Sequence, residues 1–190
     1  LVGVALIAVF VEGGIGTFSL LELEDVTFSE NFQRIFFPMF MVGFGILAGL
    51  WPFHTWSPDG HVAAPTSVSM LHAGVLMKLG AYGIIRIAID LLPQGAEDWM
   101  PVLIILGTIN VIYGAISAFG QNDLKYVVGY SSVSHMGYVL LGMAALTEGG
   151  MNGAALQLFN HGTSSAALFL IVGVIYDRAH HRDLNGFGGL

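Results

Sequence analysis

The sequence predicts an all-α membrane protein, a polytopic bundle of transmembrane helices. Residues of the hydrophobic set fill 55% of the 190 positions, charged residues fill only 10%, and the mean hydropathy is +0.74. Soluble domains usually carry about 25% charged residues. In addition, apolar runs recur along the chain that approach the roughly 20 residues a spanning helix needs. Composition and repeated long apolar runs therefore both point to the bilayer.

About six spans are expected, in one transmembrane domain that covers residues 1–190, since no polar domain or repeat unit interrupts the chain. The first apolar run has no charged segment before it, which is not typical of a signal peptide. The chain is therefore expected to be the central fragment of a longer membrane protein. The expected spans are 1–11, 34–51, 66–91, 101–120, 125–147 and 151–176.

An interrupted helix is expected near residues 47–65. Three prolines lie there, and each lacks the backbone donor that an uninterrupted helix requires. Irregular backbone at membrane depth must be buried in protein or line a water-filled cavity. The expected structural loop includes Pro52, His54, Pro58, Asp59, His61 and Pro65.

Within this loop a short helix is expected, with Ser57 as its cap and Pro58 at its first position. A metal site built from His54, Asp59 and His61 is conceivable, but nothing in their spacing requires one. At the start of the fifth span, Asn122 and Asp123 are typical N-capping residues.

Loop charge predicts the orientation of the bundle. Positively charged loops face the cytoplasm in most membrane proteins. Lys125, Arg178 and Arg182 lie on one side of the predicted spans, which is therefore expected to be cytoplasmic. Arg34 and Arg86 lie near the opposite face and weaken the bias. The connections on that opposite side contain Glu12, Glu22, Glu24, Asp25, Glu30, Glu97, Asp98 and Glu148.

Lys78 lies near the centre of the apolar run 66–91, about twelve residues from either end. A lysine at the bilayer centre costs about 2.5–3.5 kcal/mol on insertion scales, so we expect it to face protein or water. Burial also disfavours the charged form of an amine, which makes such a lysine a candidate for reversible protonation. The alternative is a snorkelling lysine near a helix end, for which Lys78 is too deep. Tyr82 and Arg86 follow at helical spacing and predict a polar stripe.

Histidines in the later spans extend the set of candidate proton carriers. His135 shares a predicted helix face with Ser131, Ser132 and Tyr138, and His161 shares one with Gln157, Ser164 and Ser165. Neutral imidazoles hand protons through water and hydroxyls near neutral pH. The alternative is that each histidine only makes a hydrogen bond between helices. The candidate proton pathway comprises Lys78, His135, His161, Lys125 and His72, with Lys125 expected near the membrane interface and His72 on another helix face from Lys78.

Several classes of function lack support in the sequence. There are no cysteines, so thiolate metal sites, disulfides and cysteine nucleophiles are excluded. Neither a nucleotide-binding glycine motif nor a G-x-S-x-G nucleophile motif is present. The formal net charge is −7 and no basic run occurs, so no nucleic-acid partner is expected.

Three ordered segments carry a resemblance to a known family: "PFHTWSPDGHVAAPTSVSMLHAGVLMKLGAYGIIRI", "DLKYVVGYSSVSHMGYVLLG" and "FNHGTSSAALFLIVGVIYDRAHHRDL". They resemble the antiporter-like, proton-translocating membrane subunits of respiratory complex I (NADH:quinone oxidoreductase), chain 4 or subunit M among them. The resemblance covers nearly all of residues 34–185. It implies a subunit of fourteen helices, of which this chain holds the sixth to the eleventh.

The resemblance also implies roles for single residues. Lys78 matches the family lysine of the eighth helix, a member of the central proton-carrying axis. His135 and His161 match family histidines in the tenth and eleventh helices, and the family's interrupted seventh helix falls around residues 47–52. One position departs: Leu47 stands where the family usually has a lysine. The lysine–glutamate switch implied by the resemblance therefore cannot be assembled from this chain.

The resemblance implies proton translocation by a non-redox subunit of NADH:quinone oxidoreductase, a translocase driven by electron transfer elsewhere. The expected partners are the other membrane-arm subunits and the lipid bilayer, the expected location is a bacterial inner membrane, and no cofactor is expected in this chain. One alternative is a subunit of a Na⁺/H⁺ antiporter or a membrane-bound hydrogenase of the same superfamily. A second is a b-type cytochrome anchor, although His72, His135 and His161 each stand alone in their spans.

Overall fold

The computed structural model describes residues 1–188, and these residues form helices and connecting turns without a strand. Two π-helical segments, His72–Leu76 and Ile84–Ile89, join the helices around them into one rod that extends over Thr66–Ile89. The predicted all-α membrane fold is confirmed. Helices α1 to α9 are Val2–Gly13, Leu20–Leu23, Glu30–Ala48, Trp56–Ala63, Thr66–Leu71, Met77–Gly83, Pro93–Phe119, Leu124–Ala144 and Glu148–Ala179.

All six apolar runs predicted as spans are helical. Four helical segments are long and apolar enough to cross a membrane by length and composition: Glu30–Ala48, Thr66–Ile89, Pro93–Phe119 and Glu148–Ala179. α1 is a shorter apolar helix of 12 residues. α8 has 21 residues and packs between α7 and α9.

The predicted interruption lies where the prolines indicated. α3 ends at Ala48, and Gly49 caps it in the left-handed region with φ of 84°, which a glycine adopts without strain. Turns follow from Trp51 to Thr55, and the backbone is extended again at Ala64 before Pro65. The chain therefore breaks twice between two membrane-length helices.

The expected details of this loop were partly wrong. A two-turn helix, α4, fills Trp56–Ala63 and so contains Pro58, Asp59 and His61. Its N-cap is Thr55, not Ser57, and Pro58 is its third residue. Proline is tolerated anywhere in a first turn, because the N–H groups there have no intrahelical acceptor.

The connection expected at 92–100 is also helical, since α7 begins at Pro93. Gln33 of α3 explains this start, because its Oε1 accepts from the backbone N–H groups of Gln94 and Gly95 at 2.9 and 3.3 Å. A side chain 60 residues away in sequence thus caps the helix. At α8, the predicted N-cap is confirmed, since Asp123 accepts from the Lys125 N–H at 2.7 Å.

Helices α7, α8 and α9 are antiparallel neighbours. A Cβ on Gly107 would contact Leu141, and one on Gly114 would contact Ser134, so α7 and α8 run in opposite directions. α9 lies along α8 in the same way, and its central part also reaches the rod that carries Lys78. Polar residues on three elements therefore meet inside the bundle.

Candidate functional site

Lys78 and His161 form the centre of the site. The Nζ atom of Lys78, in α6, lies 2.6 Å from Nδ1 of His161, in α9, and also donates to the carbonyl of Ala73. His161 is 4% exposed and Lys78 is half-buried. Because the ammonium group only donates, His161 Nδ1 is the acceptor and a neutral ring carries its proton on Nε2. Two titratable groups of the predicted pathway are therefore in direct contact.

His135 continues this line toward the surface. Its ring stacks on His161 with centroids 5.3 Å apart and planes at 17°, and its Nδ1 lies 3.0 Å from Nε2 of Gln157. In the described part of the chain, His135 is exposed. It faces a groove of about 560 Å³ lined by His135, Tyr138, Gly142, Gly149, Gly150, Gly153 and Gln157.

The hydroxyl groups expected to line the path mostly bond to their own helices. Ser132 donates to the carbonyl of Val128 at 3.0 Å, and Ser165 donates to that of His161 at 2.6 Å. Ser and Thr often return to the preceding turn in this way. The oxygen atoms of these hydroxyls can still accept hydrogen bonds from water, but their protons are already donated to carbonyl groups.

The polar stripe expected after Lys78 is not present. Tyr82 is 57% exposed, and Arg86 pairs with Glu24 at 2.6 Å and Asp90 at 2.5 Å. Lys78 and Tyr82 both lie in the regular helix α6, but a π-helical segment begins at Ile84 and changes the angle between successive residues, so the spacing of 3.6 residues per turn fails before Arg86.

Lys125, which was expected near the membrane interface, lies in the first turn of α8. Its side chain is 5% exposed and packs against the second break. Its Nζ donates to the carbonyl of Ala64 at 2.5 Å and to Ser69 Oγ at 3.4 Å. The extended backbone before Pro65 frees that carbonyl, which gives a buried ammonium its partner. A crevice of about 500 Å³ borders it, lined by Val62, Ala63, Ala64, Pro65, Thr66, Lys125, Tyr176, Asp177 and Arg182.

His72 packs on His61 with ring centroids 4.0 Å apart. This contact was not anticipated from the sequence. Pro65, which lies between the two histidines in the sequence, could have indicated the contact. A chain that turns at a proline can pack the preceding helix against the following one. The bond between Gln157 and His135 was missed as well, because it joins two helices.

The conceivable metal site is not assembled. Asp59 accepts a hydrogen bond from the hydroxyl of Tyr126 at 3.1 Å, and His54 packs edge-on against Tyr113. Within residues 1–188, no three histidine or acidic side chains are arranged to hold a metal ion.

The histidines also do not fit a haem between two axial imidazoles. Such a haem needs two ring nitrogens that point toward each other from opposite sides of the iron. The rings of His135 and His161 instead stack face to face, and Lys78 occupies Nδ1 of His161. His61 and His72 are stacked as well, at 25°.

Comparison with known proteins places this chain in a family. The profile described as "NADH:quinone oxidoreductase/Mrp antiporter, TM" matches residues 1–190, the whole chain.

The chain belongs to this family. Membership in the NADH:quinone oxidoreductase/Mrp antiporter family confirms the resemblance inferred from the three motifs, and the chain is an integral membrane protein. A relative named NAD(P)H-quinone oxidoreductase chain 4 2, from Microcystis aeruginosa, is 45% identical over 178 residues, which are 94% of this chain and 32% of the relative. The chain thus spans about a third of the length of the curated relatives it matches.

Solved structures of the family agree in fold. A chain of respiratory complex I from Thermus thermophilus with bound NADH matches with a TM-score of 0.91 and 32% identity, covering 98% of this chain and 40% of that one. A chain of the Mrp complex from Dietzia sp. DQ12-45-1b matches with a TM-score of 0.85, covering 95% of this chain and 33% of that one. At 23% identity, the second match shows only a common fold.

Proposed function

We propose that this chain carries protons across the membrane as a non-redox part of an NAD(P)H-quinone oxidoreductase. The observation that supports this most directly is the line of three titratable side chains Lys78, His161 and His135. The first two are 2.6 Å apart, and the second and third stack at 5.3 Å. Nicotinamide, flavin and quinone chemistry would belong to other subunits.

The geometry permits a proton to move in two steps. Lys78 can pass a proton from Nζ to Nδ1 of His161, because 2.6 Å is within hydrogen-bond reach. His161 then holds protons on both nitrogens and can release the one on Nε2 toward the His135 side. Protonation on one nitrogen and release from the other lets an imidazole transmit a proton and return to its neutral form.

Release at the far end would occur through His135. Gln157 donates from its Nε2 to Nδ1 of this ring, so the neutral ring carries its proton on Nε2. A proton that arrives at Nδ1 would replace the hydrogen bond from Gln157, and Nε2 would then release its own proton to water in the groove. Lys125, beside the crevice at the second break, would serve on the entry side, and the two ends of the path would open in different directions. A lysine fits the centre because it can lose its proton in a buried site, while arginine stays protonated.

The proposed partners are the other membrane subunits of such a complex, in a bacterial inner membrane. Relatives at 41–45% identity bear the name NAD(P)H-quinone oxidoreductase chain 4. The likeness to the Mrp complex rests on fold alone, so the antiporter alternative is the weaker one. Transport that requires Na⁺ and proceeds without quinone reduction would favour it.

Substitution of Lys78 in the full-length subunit, within the assembled complex, tests the proposal. Lys78→Met and Lys78→Arg are each expected to reduce proton pumping per electron pair in vesicles, because neither residue can exchange a proton with His161. The matched control is Leu79→Met, the next residue on the same helix, which is 50% exposed. The subunit content of each variant complex is measured first, to establish that the complex has assembled. Normal pumping by both assembled Lys78 variants would refute the proposal.

A further inference from the structure

A stack of four rings, three of them buried, lies beside the site and is not used in the path described above. Trp56 packs on His72 at 4.9 Å and 17°, His72 packs on His61 at 4.0 Å and 25°, and His61 packs on Phe169 at 4.5 Å and 27°. Three of the four rings come from the elements on either side of Pro65, and Phe169 comes from α9. His61 is fully buried and His72 is 8% exposed.

The nitrogen atoms of these two imidazoles lack protein partners. Neither nitrogen of His61, nor Nε2 of His72, makes a hydrogen bond within residues 1–188. Buried polar atoms in folded proteins are nearly always hydrogen-bonded, to protein or to ordered water. A packing role alone would be served better by an apolar ring, since an unpartnered buried polar atom costs stability. The pair therefore has free positions for protons and for the water that delivers them.

The pair also lies between two lysines. On one side, Lys125 donates to Ser69 Oγ at 3.4 Å, and the Ser69 hydroxyl donates to the carbonyl of His61 at 2.9 Å. On the other side, Lys78 donates to the carbonyl of Ala73, the residue that follows His72. The crevice beside Lys125 reaches the surface of the chain, and Lys78 reaches His161.

We propose that His61 and His72 form one proton-binding site, which holds a single extra proton between Lys125 and Lys78. The inference rests on the proposed function and adds to it the entry step. The incoming proton binds a free ring nitrogen and makes one imidazolium. A second proton is opposed by like-charge repulsion across 4.0 Å and by the two ammonium groups nearby.

The outer rings of the stack favour that single charge. The face of an aromatic ring attracts a cation, and tryptophan does so most strongly. Trp56 covers the outer face of His72, and Phe169 covers that of His61. The charge is therefore stabilised on either imidazole, and no carboxylate is needed to neutralise it. When Lys78 has passed its own proton to His161, the pair can return one to it through water.

The test uses His61→Gln, His72→Gln and the double variant in the full-length subunit, within the assembled complex and with Lys78 intact. The matched control is His54→Gln, which removes another buried imidazole with unpartnered nitrogens from the same connection. Proton pumping per electron pair is measured in vesicles after the subunit content has been checked. Asparagine replaces glutamine wherever a glutamine variant does not assemble.

Both single variants are expected to lose pumping relative to His54→Gln, and the double variant is expected to lose no more than the worse single variant, because the rings form one step. Losses that multiply would mean two independent sites and would overturn the proposal. Pumping equal to that of the control would overturn it too. So would failure of both substitutions to assemble when the control assembles, because the pair would then be structural. If only the Lys78 variants lose pumping, the proposed function stands and this inference fails.

Discussion

Single buried side chains hold the interrupted helix together. Asn110 in α7 is fully buried, and its Nδ2 donates to the carbonyls of Gly49 at 2.8 Å and Val133 at 3.3 Å. Its Oδ1 accepts from the backbone N–H of Trp51 at 2.6 Å. The break leaves the Gly49 carbonyl and the Trp51 N–H without helical partners, and inside a membrane each such group needs an internal partner. One amide therefore supplies both an acceptor and donors at the end of α3.

Asn110→Leu is expected to destabilise the protein, because it keeps the volume but leaves a buried donor and a buried acceptor unpaired. Each such loss costs about 1–3 kcal/mol. The measurement is the thermal unfolding temperature of the full-length subunit in detergent. Thr108→Val, on the same helix, is the control, since the Thr108 hydroxyl bonds only within its own helix at 2.8 Å. Equal unfolding temperatures for the two variants would contradict this account of Asn110.

The sequence indicated some site residues and missed the surroundings of others. Lys78 and His161 stand out from apolar surroundings, so their importance could be inferred from position alone. The burial of Lys125 could not, because it depends on the carbonyl of Ala64, which is free only where the chain is extended. The contact of His61 with His72 likewise depends on how α4 folds back, a three-dimensional fact that no local spacing encodes.

Helix α6 lies unusually close to α3, and glycines make this possible. A Cβ on Gly80 would lie 2.5 Å from both the backbone N of Ala48 and the carbonyl oxygen of Phe44. Those atoms belong to backbone and cannot move aside as a side chain would. The close approach holds the helix that carries Lys78 against the end of α3, where the break begins.

Gly80→Ala is expected to destabilise the subunit by about 1–3 kcal/mol, the usual cost of overpacking. Because α6 must shift away from α3, pumping should fall as well. The control is Gly3→Ala in α1, where an added Cβ would meet nothing within 4 Å. Unfolding temperature and pumping ratio are measured for both variants. A Gly80→Ala protein that matches the control in both would show that the helices can separate at no cost.

At the level of helices, the positions of the apolar runs were predictable and their ends were not. Hydrophobicity is a property of the residues themselves, so all six runs were found. The start of α7 at Pro93 depends on capping by Gln33, and the two π-helical segments depend on packing around the rod. The interruption near Pro52 was found because proline acts locally.

Across the whole molecule, charge is divided between the two ends. The end with most of the acidic residues also holds two arginines, and both are paired there: Arg34 with Asp98 at 2.8 Å, and Arg86 with Glu24 and Asp90. Lys125, Arg178 and Arg182 lie at the opposite end. The antiparallel order of α7, α8 and α9 places Glu97 and Glu148 at the same end. Arg182 at the basic end is ion-paired as well, with Asp123 at 3.1 Å, so the predicted orientation rests on three basic residues at one end against two at the other.

This arrangement predicts which end faces the cytoplasm, and the absence of cysteine from all 190 residues allows a direct measurement. Cysteines are introduced singly at Glu97, Glu148 and Asn185, which are all exposed. A membrane-impermeant maleimide is expected to label the cysteines at 97 and 148 from outside the cell, and the one at 185 only in inverted vesicles, since the basic end is held inside. The unsubstituted full-length protein gives the background. If the cysteine at 185 is labelled from outside the cell and those at 97 and 148 only in inverted vesicles, the orientation is inverted but the fold is kept. If the cysteines at 97 and 148 are labelled from different sides of the membrane, the antiparallel packing of α7 and α8 is contradicted.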